Sequence, residues 1–200
     1  MDRSLTVKHL SDEELALKVA AGSCSLFEEL VSRYSARLFH FLRHRTETDQ
    51  DIEDMVQETF LKAFRSIDRF NPEWKFSTWL YTIGGRSAIS RHRSNKKMKP
   101  DPAVASSIPG PEEIVIQKQE SQNIWELANQ LPEKEYEALW LRYAEDMSIK
   151  EIARVTKKKP VSVRVLLYRA RLNLAKRIDQ SAFSKKLAGT APAKHKLSFL

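Results

Sequence analysis

Residues 148–177 read SIKEIARVTKKKPVSVRVLLYRARLNLAKR. Ser148 to Ala153 open a short helix, 156–159 form a turn, and Val161 to Arg177 form a longer helix. Short helix, tight turn and second helix are the grammar of a helix-turn-helix. Ala153 is small where two helices must cross closely. Val163, Leu167, Ala170 and Leu174 recur at i, i+4, i+7 and i+11 and are expected to face inward. Arg164, Val165, Tyr168 and Arg169 then share the outward face. Arginine forks fit guanine edges, and Val or Tyr can touch thymine methyls, so this face suits a DNA major groove. The competing reading is a plain helical hairpin whose basic residues only keep it soluble.

Upstream, the periodicity predicts helices over about 113–130 and 133–143, completing a C-terminal domain at 114–178 with helices at about 148–155 and 160–177. Pro132 and Pro160 fall at or near first-turn positions, where the missing N–H costs nothing. Before this domain, Pro100, Pro102, Pro109 and Pro111 accompany Ser106, Ser107 and Gly110. Proline removes a backbone donor and turns its predecessor away from helical geometry, so 99–113 read as a flexible linker. Residues 179–200, rich in lysine, read as a disordered basic tail.

Residues 1–98 form the N-terminal domain, and it too is helical by period. Ser11 is an N-cap with Glu14 three residues on, and Asp12, Glu13 and Glu14 suit the positive end of the helix dipole. A second helix starts near Ser25, with Phe27, Leu30, Val31, Tyr34, Leu38, Phe41 and Leu42 at helical spacing. A third spans about 48–67, and a fourth runs from a Ser77 N-cap to about Arg93. No stretch alternates convincingly with period two. The expected fold is all-α: two helical domains joined by a proline-rich linker, each folding separately, with several interdomain arrangements in the free protein or one clamped by an inhibitor.

The third helix carries two stripes. Ile52, Val56, Phe60, Ala63 and Ile67 form an apolar one, expected as core. Asp54, Gln57, Glu58 and Leu61 share another face, where carboxylates and a leucine suit docking on a basic helical partner. An ordinary solvent face is the alternative, and Glu58 with Lys62 could be a routine i,i+4 pair. Phe70, Trp74, Phe76, Trp79 and Tyr81 then cluster just before a basic run that includes Arg86, Arg91 and Arg93. Some rings must be core, but aromatics beside cations are also the parts of a single-strand nucleic-acid site.

Composition excludes other classes. The 200 residues carry 34 Lys plus Arg against 26 Asp plus Glu, a net charge of +8 that favours an anionic partner. Residues 47–58 hold acids without a Lys or Arg, while 86–99 hold Lys and Arg without an acid, so two kinds of partner are expected. The single cysteine, Cys24, forbids an intramolecular disulfide and suits a cytoplasmic protein. No apolar run is long enough for a membrane span, and the first residues lack a signal-peptide core. No Gly-rich phosphate loop, nucleophile elbow or paired catalytic carboxylates are visible, so neither an enzyme nor a cofactor is expected. His40 and His44 have a zinc-compatible spacing with Cys24 as a third ligand, but Arg43 and Arg45 disfavour a cation, and no metal is expected.

Taken together, the chain from about Leu10 to Arg177 resembles the extracytoplasmic-function (ECF) sigma factors of bacterial RNA polymerase. LSDEELALKVAAGSCSLFEELVSRYSARLFHFLRHRT looks like the first block of that family, DIEDMVQETFLKAF like its polymerase-docking helix, and FSTWLYTIGGRSAISRHR like its promoter-melting helix. LPEKEYEALWLRYAEDMSIKEIARVT with VSVRVLLYRARLNL looks like its C-terminal helix-turn-helix. The resemblance implies promoter-specific initiation. Asp54, Gln57, Glu58, Phe60 and Leu61 would dock on the beta-prime clamp helices, Phe60 remaining mainly core. The loop from Asp68 to Lys75, with Asn71, Trp74 and Lys75, would capture a flipped base of the minus-ten element. Phe76, Trp79, Tyr81, Arg86, Arg91 and Arg93 would follow the melted strand. Arg142, Lys159, Ser162, Arg164, Val165, Tyr168 and Arg169 would contact the minus-thirty-five element. The implied partners are core RNA polymerase, through its beta-prime clamp helices and beta flap, promoter DNA, and an anti-sigma factor.

Departures from the family pattern are local. Arg86 stands where Asn is usual, Ser90 where Asp is frequent, and Gly84-Gly85 where alanine and a larger residue are usual. Lys157 takes the place of a turn glycine, and Lys158 that of an apolar residue. Val165 and Leu166 replace common polar residues. A stand-alone helix-turn-helix repressor would account for the C-terminal domain but not for the acidic docking face or the aromatic-basic helix.

Overall fold

Local capping starts the chain as expected. In the computed structural model, which describes residues 9–45, 48–95 and 124–189 without the side chains of 87–95 and 181–189, the Ser11 hydroxyl accepts from the Glu14 N–H at 3.1 Å. The Glu14 carboxylate in turn accepts from the Ser11 N–H at 2.8 Å. This box opens α1 (Asp12–Ala20). A 3-10 turn, Cys24–Leu26, leads into α2 (Phe27–Leu42), and Thr48 caps α3 (Asp49–Arg65). A second 3-10 turn (Ile67–Arg69) and an irregular loop precede α4 (Phe76–Asn95).

The apolar stripes read from the sequence form the core of this domain. Leu30, Tyr34, Leu38, Phe41 and Leu42 of α2 are buried, as are Ile52, Val56, Phe60 and Ala63 of α3, with Ile67 just beyond it. The fourth helix begins one residue before the expected Ser77 cap. Ser77 lies inside it and is buried, and the Phe76 N–H donates instead to the Glu13 carboxylate of α1 at 2.8 Å. A capping group 63 residues away replaces the local one.

The linker at 99–113 and most of the helix expected at 113–130 lie outside the described residues; 124–128 are helical. Next come α5 (Glu133–Leu139), a π turn (Trp140–Ala144), α6 (Ile149–Thr156) and α7 (Pro160–Gly189). The last helix passes the expected end near Arg177 and continues to Gly189, so the part of the expected tail at 179–189 is helical. No proline or glycine interrupts the chain from Val161 to Ala188, and a helix needs a breaker or a cap to stop. Asn173 of α7 donates to Glu135 of α5 at 2.8 Å, and the Arg177 guanidinium donates to the Gln130 carbonyl at 2.8 Å. Every regular element among the described residues is helical, and none is long and apolar enough to cross a membrane. The two domains meet along a single seam, with α4 against α6 and α2 against the α5 hairpin.

Candidate polymerase and nucleic-acid interfaces

On α3 the apolar stripe is buried and the second face is more open, and the two meet along one groove. Leu61 is 55% exposed and Gln57 is exposed, while Asp54 and Glu58 are half-buried. Glu58 pairs with Lys62 at 2.6 Å, a mostly solvated i,i+4 contact of small energetic weight. Phe60 is buried but lines the same groove as Leu61. That groove, of about 560 Å³, runs between α2 and α3 and is lined by Phe27, Val31, Val56, Phe60, Leu61 and Phe64, with Glu28 and Gln57 at its polar edge. Phe64 is 38% exposed and packs edge-on against Phe27 at 5.1 Å. Phe27, Val31 and Phe64 were not read as part of this site. Phe64 could have been, because it lies three residues beyond Leu61 on the same helix face.

The minus-ten candidates divide. Asn71 builds the loop: its side-chain oxygen accepts from the Glu73 N–H at 3.0 Å and its carbonyl from the Trp74 N–H at 3.1 Å. Asn71, Lys75 and Arg86 are exposed, and Trp74 is 38% exposed. Phe76 and Tyr81, expected along the melted strand, are instead fully buried. Phe76 packs edge-on against Tyr34 at 5.5 Å and Phe70 at 5.8 Å. Tyr81 packs on Phe41 at 4.8 Å, and burial pushes its phenol well up, with the Glu145 charge adding to the effect. Both rings pack on α2, Phe76 against Tyr34 and Tyr81 against Phe41, and Phe76 also backs the loop through Phe70. Trp79 is half-buried between Phe70 and Phe76. The side chains of Arg91 and Arg93 lie outside the described residues.

In the C-terminal domain the helix-turn-helix forms with reciprocal local capping. The Ser148 hydroxyl accepts from the Glu151 N–H at 3.3 Å, and the Glu151 carboxylate from the Ser148 N–H at 2.7 Å. Burial pushes the Glu151 carboxyl up, but Ser148, the Lys75 ammonium and the Thr78 hydroxyl outweigh it and hold the group below its ordinary value. The helix ends at Lys157, which takes φ 53°, a left-handed conformation that glycine adopts at less cost. The Lys158 N–H then donates to the Ala153 carbonyl at 3.0 Å. Pro160 occupies the first position of α7. Val163, Leu167 and Ala170 are buried, whereas Arg164, Val165, Tyr168 and Arg169 are exposed, with Lys159 and Ser162 exposed ahead of them. Arg142 is half-buried and donates to the Met147 carbonyl at 2.8 Å, tying the turn before α6.

The two histidines of the alternative metal reading belong to the seam. His40 stacks on Trp140 at 5.3 Å and His44 lies against Tyr136 at 4.0 Å. Burial and the Arg43 charge hold both imidazoles below their ordinary pKa, a shift toward the neutral ring. Among the described residues, no group of His, Cys, Asp and Glu has the arrangement of a metal site.

One chain thus presents an apolar groove with Glu28 and Gln57 at its edge, a loop that exposes Trp74, and a helix whose open face carries Arg164 and Arg169. Residues 30–98 match Sigma-70 region 2, and residues 121–174 match Sigma-70, region 4. The chain belongs to the ECF sigma factors. This sigma factor is 29% identical over 185 residues to the ECF RNA polymerase sigma-E factor of Haemophilus influenzae, covering 86% of this chain and 97% of that one. It is 27% identical to the ECF RNA polymerase sigma factor SigW of Bacillus subtilis, over 80% of this chain and 93% of the relative. Among solved structures it is similar to CnrH in complex with the cytosolic domain of CnrY, with TM-score 0.59 and 25% identity over 84% of this chain and 97% of that one. The fold is also that of the sigma factor RpoE of Bartonella quintana, solved in complex with the anti-sigma factor NepR, with TM-score 0.57 and 20% identity over 76% and 96% of the two chains. As a sigma factor it binds core RNA polymerase and recognises promoter DNA to start transcription. It is an initiation factor and not an enzyme.

Proposed function

We propose that the groove between α2 and α3 is the seat of the beta-prime clamp helices. Leu61 and Phe64 would be the apolar anchors, and Asp54, Gln57 and Glu58 the steering edge. The observation that carries this reading is the exposure of two large apolar side chains over a 560 Å³ groove beside an acidic row. Charge supplies orientation and encounter rate, and the apolar groove supplies buried area. Because the Trp74 loop follows α3 directly, seating α3 on polymerase would carry Asn71, Trp74 and Lys75 to the minus-ten element, with Arg86, Arg91 and Arg93 following the phosphates. Arg164, Val165, Tyr168 and Arg169 would read the minus-thirty-five element, with Lys159, Ser162 and Arg142 near phosphate and the domain resting on the beta flap. Solved relatives held by CnrY and NepR support an anti-sigma factor as a further partner. The place of work is the cytoplasm, at the nucleoid when bound to polymerase.

Leu61→Arg, or Asp54→Lys with Glu58→Lys, tests the docking assignment. Either variant should keep the helical circular-dichroism signal of the parent and lose about tenfold or more in affinity for core polymerase, since a buried unpaired arginine or a reversed edge opposes the partner. Parental affinity in a folded double mutant would move the docking surface elsewhere.

A further inference from the structure

The long helix α7 carries an apolar row as well as its cations. Val161, Val165, Tyr168 and Leu172 recur at i, i+4, i+7 and i+11, and all four are exposed. Val161 and Tyr168 are each 65% exposed, the most open of the large apolar side chains among the described residues. At about 3.6 residues per turn, the row lies opposite the buried line of Val163, Leu167 and Ala170. It is therefore the crest of the helix, the part that stands farthest from the domain core. Arg164 lies on one side of the crest and Arg169 on the other, both exposed. The outward line of a surface helix is ordinarily polar, and a single exposed apolar residue needs no explanation. Four of them in one line call for a partner.

The flanks say which partner. From Lys157 to Ile178 the chain has no Asp or Glu, and Lys157, Lys159, Arg164, Arg169 and Arg171 are exposed. A row flanked by cations alone fits an anionic surface with an apolar floor. The major groove of duplex DNA is such a surface: phosphates line its walls, and each thymine places a C5-methyl group on its floor. We propose that Val161, Val165 and Tyr168 form an apolar reading edge that selects thymine methyl groups in the minus-thirty-five element, between base pairs that Arg164 and Arg169 reach on either side. The inference rests on α7 as the recognition helix and names what that helix selects. A recognition helix meets base edges with its first turns, so these three side chains reach the floor and Leu172 lies beyond it. Adenine and cytosine offer amino groups that a carboxylate or amide would accept. The open face of α7 has neither, because its one amide, Asn173, is half-buried and donates to Glu135 at 2.8 Å. Valine has no hydrogen-bonding group, so it favours a methyl and leaves a polar edge unpaired.

The test uses holoenzyme and needs no variant to begin. An upstream element is selected from a randomised duplex library, and each of its thymines, on either strand, is replaced in turn by uracil, which lacks only the C5-methyl group. Uracil at one or more positions should weaken holoenzyme binding about fourfold, the effect of burying about one methyl group less. Val161→Ser with Val165→Ser should then bind the thymine and uracil duplexes alike. Both sites are exposed, so the variant should keep the circular-dichroism signal of the parent. A selected element without thymine, or uracil tolerated at every position, overturns the methyl reading. In that case a base preference still flattened by Arg164→Ala keeps α7 in the groove. Base preference unmoved by uracil, Arg164→Ala and Arg169→Ala alike would remove α7 from the groove altogether. A uracil penalty that persists in the double variant overturns the assignment to these valines. Loss of affinity for core polymerase in the absence of DNA would give the row to a protein partner instead.

Discussion

Trp74 to Tyr81 and Arg164 to Arg169 use similar residues and meet opposite fates. Both stretches mix aromatic or apolar side chains with cations, and both read as nucleic-acid surfaces. On α7 Arg164, Val165, Tyr168 and Arg169 are exposed and Val163, Leu167 and Ala170 are buried, with Leu174 half-buried further along. In the other stretch two of the four rings, Phe76 and Tyr81, are fully buried, Trp79 is half-buried, and Trp74 alone stands out to solvent under the guanidinium of Arg154. A helix packed on one side obeys its period. The first turns of α4 are packed by α1, α2, α3 and the second domain at once, so most of the rings at 76–81 are enclosed whichever way they face.

The largest effect is expected at Phe76. Phe76→Ala should cost about 3–5 kcal/mol of stability, the range for removing a buried aromatic, as read by chemical denaturation. Trp74→Ala should change stability by only about 0.5 kcal/mol, as for surface sites, yet reduce transcription from duplex promoters, with partial rescue on pre-melted templates. Equal stability losses at the two positions would erase the distinction between the rings.

A smaller effect sharpens the other side. In the holoenzyme, Arg164→Ala or Arg169→Ala should flatten preference at a particular upstream base pair by about 1–3 kcal/mol. Replacing Lys157, Lys158 and Lys159 together should weaken binding to all sequences alike and lower its salt dependence. Affinities for single-base-pair promoter variants at two salt concentrations decide it. Uniform losses from the arginine variants would mean that α7 presents another face to the groove.

The smallest effect lies in the turn between α6 and α7. Lys157 holds φ 53°, so Lys157→Gly should stabilise the protein by about 0.5–1 kcal/mol, seen as a raised thermal midpoint with promoter preference unchanged. A loss of stability would show that the lysine side chain contributes more than its backbone strain costs.

Legibility followed the range of the interactions. The capping box at Ser11, the stripes of α2 and α3 and the two faces of α7 could all be read, because each depends on neighbours three or four residues away. The order of blocks was enough to place the chain among the ECF sigma factors. The cap of α4 was misread, because Ser77 has the right chemistry locally but Glu13 reaches the same N–H from another helix. The α2 wall of the groove was missed for the same reason: Phe27 and Val31 lie on α2, and nothing in their spacing marks them as neighbours of Leu61.

By itself, then, the sequence determined helices, stripes, caps and family, since backbone hydrogen bonds and side-chain period act within a few residues. Packing between distant segments sets which aromatic rings are buried and which is exposed, puts His40 and His44 in a seam, and brings Gly85 up to Val155. Those outcomes depend on which helix arrives from far along the chain. Burial is a property of the packed assembly, and no single segment carries it.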